Sequence, residues 1–286
     1  MGGAIRVGRV CGALLSALDA ATLTVSLHSR FRGAANLSTP LGLVTLLSPG
    51  RCLQPYAAVL AEDFDYAALE RGALSLGPAG LTVGGGAAVS LTGAVAVDLR
   101  LTAGPTPALS AAWAIRRFLA SGPEDGLSTL ALGRSEGPYA ALVAPRLQIF
   151  RQAARQGDVA AAAAAAGRMA GCGPGLTPSS DDLLCGYMAL LPPGGAWTGM
   201  AAAISAAAGG ATNAISASLL SRAGEGYFSE DVLELLSCLR RGTQGQELTR
   251  ALLRVASFGS SSGYDLLTGV YFGVIDACAI GGMSIE

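Results

Sequence analysis

Hydroxyl and carboxylate side chains are concentrated beside glycine and proline in residues 171–186, which read GCGPGLTPSSDDLLCG. Thr177-Pro178 is typical of a helix N-cap followed by proline at the first helical position, so a helix is predicted to begin there. Its first turn would place backbone N–H groups and hydroxyls beside the carboxylates of Asp181 and Asp182. Such an opening is suited to binding an anion or a metal ion. Alternatively, these residues only cap a buried helix, which is their commoner use.

A second stretch, residues 260–269, repeats the order of hydroxyl-rich turn, Asp, Leu-Leu and Gly. Residues 182–186 align with residues 265–269 without a gap, and in both copies Gly lies four residues after Asp. On a helix this spacing puts Gly one turn below Asp on the same face, where another backbone can approach closely. We therefore expect the two helices to cross there. The crossing would bring Asp182 and Asp265 to neighbouring helix openings that hold one ligand between them.

Three motifs, in this order and spacing, are similar to those of the AllH family. They are G-P-G-L-T-P-S-x-D-D-L-L-x-G at 173–186, a Thr/Ser pattern at 212–226, and S-G-x-D-L-L-x-G at 262–269. The resemblance covers roughly the C-terminal half of the chain. Two positions depart from it: Ser180 stands where the family usually has Gly, and residues 260–263 read SSSG where the family often has His-Thr-Ser-Gly.

The AllH family was long catalogued as being of unknown function or as a carboxylase. It is now linked to a subunit of a multi-subunit oxamate carbamoyltransferase in purine (allantoin) breakdown. The resemblance therefore implies carbamoyl transfer between carbamoyl phosphate and oxamate, with other subunits of a complex as partners. A carboxylase subunit and a non-catalytic structural or regulatory subunit stay open as alternatives. A hydrolase with a serine nucleophile is least favoured, since no Gly-x-Ser-x-Gly surrounds Ser179 and the chain has one histidine.

The predicted site residues follow from these motifs and from a cationic strand end near the N-terminus. Asp181, Asp182 and Asp265 are the predicted catalytic carboxylates. The predicted substrate-binding residues are Gly173, Gly175, Thr177, Ser179, Ser180, Thr212, Ser216, Ser262, Gly263, His28 and Arg30. Carboxylates that face an anionic substrate repel it unless a counter-charge intervenes, so Asp181 and Asp182 are also candidate ligands of a divalent cation such as Mg²⁺. For His28 the alternative is an ordinary surface or core histidine.

Composition narrows the chemistry further. All 19 basic residues are arginine, which excludes Schiff-base lysine chemistry and a Walker-type phosphate loop. The six cysteines are widely separated and are expected to be free thiols of a cytoplasmic protein rather than zinc ligands. With a formal net charge of −1 and no basic run, nucleic acid is not a predicted partner. Only 14% of the residues are charged, which favours homo-oligomers or partner subunits.

The elements that must position these residues change in character near residue 104. Short apolar runs separated by Gly, Pro and Ser precede it, and amphipathic or alanine-rich segments follow it, so the predicted class is α+β. A β-rich domain is predicted over 1–103 and a helical domain over 104–286. No membrane span is predicted, because Asp276 interrupts the best apolar run. Strands are predicted at 5–10, 23–27, 41–47, 74–76, 81–83, 89–91 and 95–101. Helices are predicted at 13–20, 63–71 (or an acidic loop there), 108–120, 139–156, 159–169, 178–191, 198–208, 212–223, 230–240, 246–255 and 262–279.

Overall fold

A computed structural model describes residues 3–19, 22–123, 126–192 and 194–281. Within those ranges strands lie between residues 5 and 97 and the longer helices between 109 and 280, so the α+β prediction is confirmed. The chain divides into two compact units. The first comprises the described residues up to Arg100 together with Phe228–Glu230, and the second comprises the other described residues.

The strands of the first unit form a single barrel-like sheet. Their bounds are β1 Ile5–Cys11, β2 Leu23–Phe31, β3 Ala34–Thr39, β4 Gly42–Leu47, β5 Ala57–Leu60, β6 Leu74–Gly77, β7 Gly80–Val83, β8 Gly86–Ser90 and β9 Val95–Val97. The order is β5-β4-β3-β2-β6-β7-β8-β1-β9. The sheet closes because β1 pairs in parallel with β8 and β9 along one edge and antiparallel with β5 along the other. Closure leaves the apolar side chains of alternating strand positions to fill the interior.

Two strands, β3 and β5, were not among the predicted segments. Their sequences, AANLST and AAVL, are short and alanine-rich and lack the β-branched alternation that marks a strand. They form because neighbouring strands supply their hydrogen bonds. The short helix predicted at 13–20 is α1, Gly12–Leu18, and Ala20 lies outside the described residues. The segment predicted at 63–71 contains a 3-10 helix, Tyr66–Glu70, with Asp65 as its N-cap.

The second unit is built from helices joined by short loops. Their bounds are α2 Leu109–Leu119, α3 Ser128–Ala131, α4 Pro138–Gln156, α5 Val159–Met169, α6 Ser179–Met188, α7 Met200–Gly209, α8 Ala214–Gly224, α9 Glu230–Arg240, α10 Gly245–Ala256 and α11 Ser262–Ile280, with a 3-10 turn at Gly195–Trp197. Helix α9 begins in the segment assigned to the first unit. Alanine-rich α5 packs between α4 and α7, where small side chains let helices approach closely.

Helix α11 is the core helix of this unit. It packs against α6, α2, α3, α10 and α4. It is long and apolar enough to cross a membrane by length and composition, but 72% of its most apolar window is buried inside the protein. Packing in the core therefore accounts for its apolar character.

Helices α6 and α11 cross at the two glycines of the repeated motif, as predicted. A Cβ atom on Gly186 would overlap the carbonyl oxygen of Leu266, and one on Gly269 would overlap the carbonyl oxygen of Leu183. Each glycine therefore lets the other helix's main chain reach it directly. Further along α11, a Cβ on Gly273 would lie 2.8 Å from the Cβ of Leu190. This close crossing fixes the spacing between the openings of the two helices.

A buried ion pair lies at the far end of the same crossing. Both carboxylate oxygens of Asp276 accept hydrogen bonds from Arg151, at 2.8 and 2.6 Å, and one also accepts a bond from the hydroxyl of Tyr187 at 3.0 Å. Arg151 reaches inward from α4, and its guanidinium lies over the ring of Phe272. Asp276, which interrupts the apolar run of α11, thus has its ion-pair and hydrogen-bond partners within the protein.

Candidate functional site

Helix α6 begins one residue later than its sequence predicts. Pro178 is the N-cap in an extended conformation, with φ −55° and ψ 140°, and no side chain caps the helix. The prediction that Thr177 is the N-cap is therefore wrong. The preceding loop caps the helix in part. The backbone N–H of Ser180 donates to the carbonyl of Cys172 at 3.0 Å, and the Cys172 N–H donates to the Ser180 hydroxyl at 3.0 Å. Thr177 is thereby left to contact another element.

Asp181 links the start of α6 to the start of α8. One carboxylate oxygen accepts from the backbone N–H of Gly171 at 2.9 Å. The other accepts from the hydroxyls of Thr212 at 2.5 Å and Ser216 at 2.7 Å. Both oxygens of this buried group are thus occupied by neutral donors, which is how a buried carboxylate becomes tolerable. This arrangement favours a structural role for Asp181, Thr212 and Ser216, whose catalytic and binding roles stay predictions.

Asp182 faces away from that cluster and toward α11. The hydroxyls of Ser262 and Thr177 lie beside its carboxyl group, and the charge of Asp265 acts on it directly. The hydroxyl oxygens of Thr177 and Ser262 are themselves 2.9 Å apart, so a hydrogen bond joins the α6 loop to the first residue of α11. The predicted convergence of the two openings is therefore present in the second unit.

Asp265 is the most deeply buried member of this group, with 0% of the residue exposed. One of its oxygens accepts a 2.6 Å hydrogen bond from the backbone N–H of Leu127. The hydroxyls of Ser179 and Ser261 also lie close enough to lower its pKa. A Cβ on Gly126 would come within 2.5 Å of the same carboxylate, so this loop approaches it only because residue 126 is glycine.

Burial dominates the electrostatics of both carboxyl groups. Loss of water raises the pKa of Asp182 well above its ordinary value, the hydroxyl of Ser262 acts against that rise, and the charge of Asp265 adds to it. Loss of water also raises the pKa of Asp265, against the opposing N–H of Leu127. Both shifts mean that the negatively charged form is disfavoured here.

The segment that contains these openings is similar to a known protein family. Residues 169–274 match the AllH family model. The family is described as oxamate carbamoyltransferase subunit AllH, and the predicted resemblance is confirmed over this segment. No curated protein and no solved structure matches the chain.

Residues 169–274, which match the AllH family model, are called the AllH segment below. This segment includes Asp182, Asp265 and their hydroxyl neighbours, together with the glycines at the crossing. Gly173 has a φ of +128°, and a Cβ there would overlap the main chain of Ser179. Gly175, with φ +94°, has open space around it. A Cβ on Gly263 would overlap the carbonyl oxygen of Val255, so this glycine permits α11 to pack against α10. Packing thus accounts for Gly173 and Gly263, whereas Gly175 lies in an exposed part of the loop.

His28 and Arg30 lie outside the AllH segment, on β2 of the first unit. Both side chains are exposed, and with Arg32 and Glu70 they line an open cavity of about 630 Å³. Arg30 donates to Glu70 at 3.1 Å, and His28 contacts the hydroxyl of Ser29 at 3.1 Å. The predicted substrate-binding role of these two residues stays a prediction.

Two contacts of Asp265 were absent from the predicted site. The Leu127 N–H could not be predicted, because a main-chain donor leaves no signature in the side-chain sequence. Ser261 had a signal, since three consecutive serines stand at the start of the helix, but their order does not show which of them faces the carboxylate.

A separate group of possible metal ligands lies elsewhere in the second unit. Oxygen or sulfur atoms of Glu234, Cys238 and Glu247 lie within 4.8 Å of one another. The guanidinium of Arg241 already donates to Glu247 at 3.1 Å and contacts Cys238 at 3.5 Å. Because this guanidinium contacts two of the three residues and both glutamates are exposed, the group carries no functional assignment.

Proposed function

We propose that this chain is a subunit of an oxamate carbamoyltransferase-type complex, and that a small anionic substrate binds where the openings of α6 and α11 meet. One observation carries the proposal: the AllH segment contains both openings, and the hydroxyls of Thr177 and Ser262 join them at 2.9 Å. The complex would act in the cytoplasm, in purine catabolism.

The reaction moves a carbamoyl group between two anions. In one direction the amide nitrogen of oxamate attacks the carbamoyl carbon of carbamoyl phosphate, the bond from that carbon to the phosphate oxygen breaks, and the nitrogen loses a proton. In the degradative direction a phosphate oxygen attacks the carbamoyl carbon of oxalurate, the carbon–nitrogen bond breaks, and the departing nitrogen gains a proton. A site for either direction must hold anions with N–H and hydroxyl donors.

The α6 loop is the surface best placed to supply those donors. Within the first turn of α6, the N–H groups of Ser180, Asp181 and Asp182 already donate to main-chain carbonyls. Pro174, Gly175 and Leu176 are exposed, and Thr177 adds a hydroxyl that reaches α11. We therefore place the anion against residues 173–177 rather than on the axis of α6. Leu176, at 56% exposed, is an apolar side chain that a partner subunit would cover.

The decisive experiment uses the whole complex, purified through a tag on this chain. Phosphate-dependent cleavage of oxalurate and formation of carbamoyl phosphate are measured for the wild type and for Asp182→Asn. We expect the variant complex to assemble normally and to lose at least about a hundredfold in rate, in the range seen when a group that acts on the transition state is removed.

The alternatives give different results in the same assay. Full activity of the Asp182→Asn complex would support a non-catalytic subunit and contradict the proposed site. Consumption of bicarbonate without carbamoyl transfer would support the carboxylase alternative. Because the chain has no lysine, any biotin in that case would be attached to a partner.

A further inference from the structure

Three buried oxygen atoms around the α6–α11 junction have no hydrogen-bond partner within the described residues. They are Oδ2 of Asp182, Oδ2 of Asp265 and the hydroxyl oxygen of Ser179. All three residues are more than nine-tenths buried. Buried polar atoms are satisfied in the great majority of cases, so three such atoms in the first turns of two crossing helices indicate a missing partner. The Ser179 hydroxyl belongs to this group because it lies close enough to Asp265 to lower the pKa of that carboxyl group, without forming a hydrogen bond of ordinary geometry to it.

The same place lacks positive charge. Among the described residues, the charged groups that act on Asp182 are Asp265 and Asp181, both acidic, and no positively charged group acts on Asp265. Two carboxyl groups taken out of water without a counter-charge must either gain protons or bind a cation. Every atom on offer is an oxygen, and oxygen ligands suit hard cations such as Mg²⁺ and Ca²⁺.

We infer that Asp182, Asp265 and Ser179 form a binding site for one divalent cation between the openings of α6 and α11. Asp181 does not belong to it, because both of its oxygens accept hydrogen bonds from Gly171, Thr212 and Ser216. The cation pairs two helices far apart in sequence rather than two adjacent aspartates on one helix.

If the proposed function holds, the bound ion helps the anionic substrate to bind. An anion bound at residues 173–177 lies beside Asp182, and a bound cation cancels the negative charge that would otherwise repel it. This role rests on the proposed function, whereas the cation site itself rests on the buried oxygens alone.

The test measures the metal directly. The full-length protein is stripped with chelator, then equilibrated with Mg²⁺, Mn²⁺ or Ca²⁺, and bound metal is counted by dialysis with elemental analysis and by Mn²⁺ electron paramagnetic resonance. We expect one ion per chain and a rise of several degrees in Tm on adding metal. Asp182→Asn, Asp265→Asn and Ser179→Ala should each weaken binding at least about tenfold. The matched control Asp63→Asn changes an exposed carboxylate of the first unit and should bind as the wild type does.

Folding and metal loss can be separated. Without metal, Asp182→Asn and Asp265→Asn remove a buried charge and should be no less stable than the stripped wild type, so lost binding would not reflect unfolding. The inference is overturned if the wild type retains no ion and its Tm does not respond to metal, which would mean that protons neutralise the pair. It is also overturned if the three variants bind metal as the wild type does. If the protein binds the ion but the assembled complex has no carbamoyltransferase activity, the proposed function is contradicted and the cation site is not. If the complex is active but binds no ion, the cation site is contradicted and the proposed function is not.

Discussion

Asp181 and Asp182 are adjacent in the chain, yet their carboxyl groups have different surroundings. Successive residues on a helix point in directions about 100° apart, so neighbours do not share a face. Asp181 turns toward α8 and accepts hydrogen bonds on both oxygens, whereas Asp182 turns toward α11 and keeps an oxygen without a partner. The pair therefore divides into a residue that holds the loop in place and a residue that faces the candidate site.

Replacing Asp181 tests the first of these roles. In Asp181→Asn an NH₂ group takes the place of one acceptor oxygen, so the hydroxyls of Thr212 and Ser216 or the N–H of Gly171 lose a partner. We expect the free energy of unfolding to fall by about 1–3 kcal/mol, measured by chemical denaturation. Asp63→Asn, on an exposed loop, should change it by less than about 0.5 kcal/mol. Equal stability of the two variants would show that the Asp181 contacts do not hold the loop.

The raised pKa of Asp182 predicts how stability depends on pH in metal-free buffer with chelator. Burial is the main cause of the rise, the Ser262 hydroxyl opposes it, and the charge of Asp265 adds to it. A carboxyl group whose pKa is higher in the folded state contributes stability that is complete below the unfolded pKa and is lost as pH rises through the folded pKa. The wild type should therefore lose stability with rising pH over that window, and Asp182→Asn should lose less. Parallel pH profiles for the two proteins would contradict this.

At the scale of elements, the crossing of α6 and α11 depends on two glycines. In Gly186→Ala or Gly269→Ala the new methyl group would overlap a carbonyl oxygen of the other helix, and the helices would have to separate. We expect each substitution to lower the free energy of unfolding by about 2–3 kcal/mol in thermal or chemical denaturation. It should also weaken metal binding, since the two carboxyl groups move apart.

Gly210→Ala provides the control for that experiment. Gly210 is the C-cap of α7, with φ −71°, and a Cβ there would meet its nearest neighbour at 3.7 Å, an ordinary contact. The alanine should be neutral or slightly stabilising, since it restricts the unfolded chain. A comparable loss of stability at Gly210 would mean that the effect at the crossing is a general cost of removing glycine.

The crossing of α6 and α11 could be predicted from the sequence because Asp, Leu-Leu and Gly recur at one spacing. On a helix, that spacing puts Asp and Gly on the same face, one turn apart. The longer helices were also predictable to within a few residues, since apolar periodicity and turn residues are local signals, but the short helix α3 was not among the predicted segments. The contact of Asp265 with the Leu127 N–H could not be predicted, because it joins a main-chain atom to a residue far along the chain. Strands β3 and β5 could not be predicted either, because pairing with neighbours rather than their own composition determines them.

At the scale of the whole molecule, the first unit includes Phe228–Glu230, a segment from late in the sequence. The N–H of Phe228 donates to the carbonyl of Leu99, and the N–H of Glu230 donates to that of Leu53. The carboxylate of Glu230 accepts two bonds from Arg9, at 2.6 and 2.7 Å, and one from the Leu53 N–H at 3.1 Å. The first unit is therefore completed only after most of the chain has been made.

Glu230→Ala should weaken the first unit selectively. Arg9 and the Leu53 N–H lose their acceptor, and because the pair is partly exposed we expect a loss of about 1–2 kcal/mol. Hydrogen–deuterium exchange should become faster in the peptides that contain β1 and residues 51–54. Glu136→Ala, which removes an exposed carboxylate of the second unit, should leave these peptides unchanged. Unchanged exchange in Glu230→Ala would contradict the role of this carboxylate.

The glycine contacts at the α6–α11 crossing have one more consequence. Because main-chain atoms of one helix rest on main-chain atoms of the other, the gap between Asp182 and Asp265 is determined by the dimensions of the peptide backbone rather than by side-chain volume. Libraries that vary the surrounding side chains while keeping Gly186 and Gly269 should therefore alter the chemistry around the two carboxyl groups without altering the distance between them.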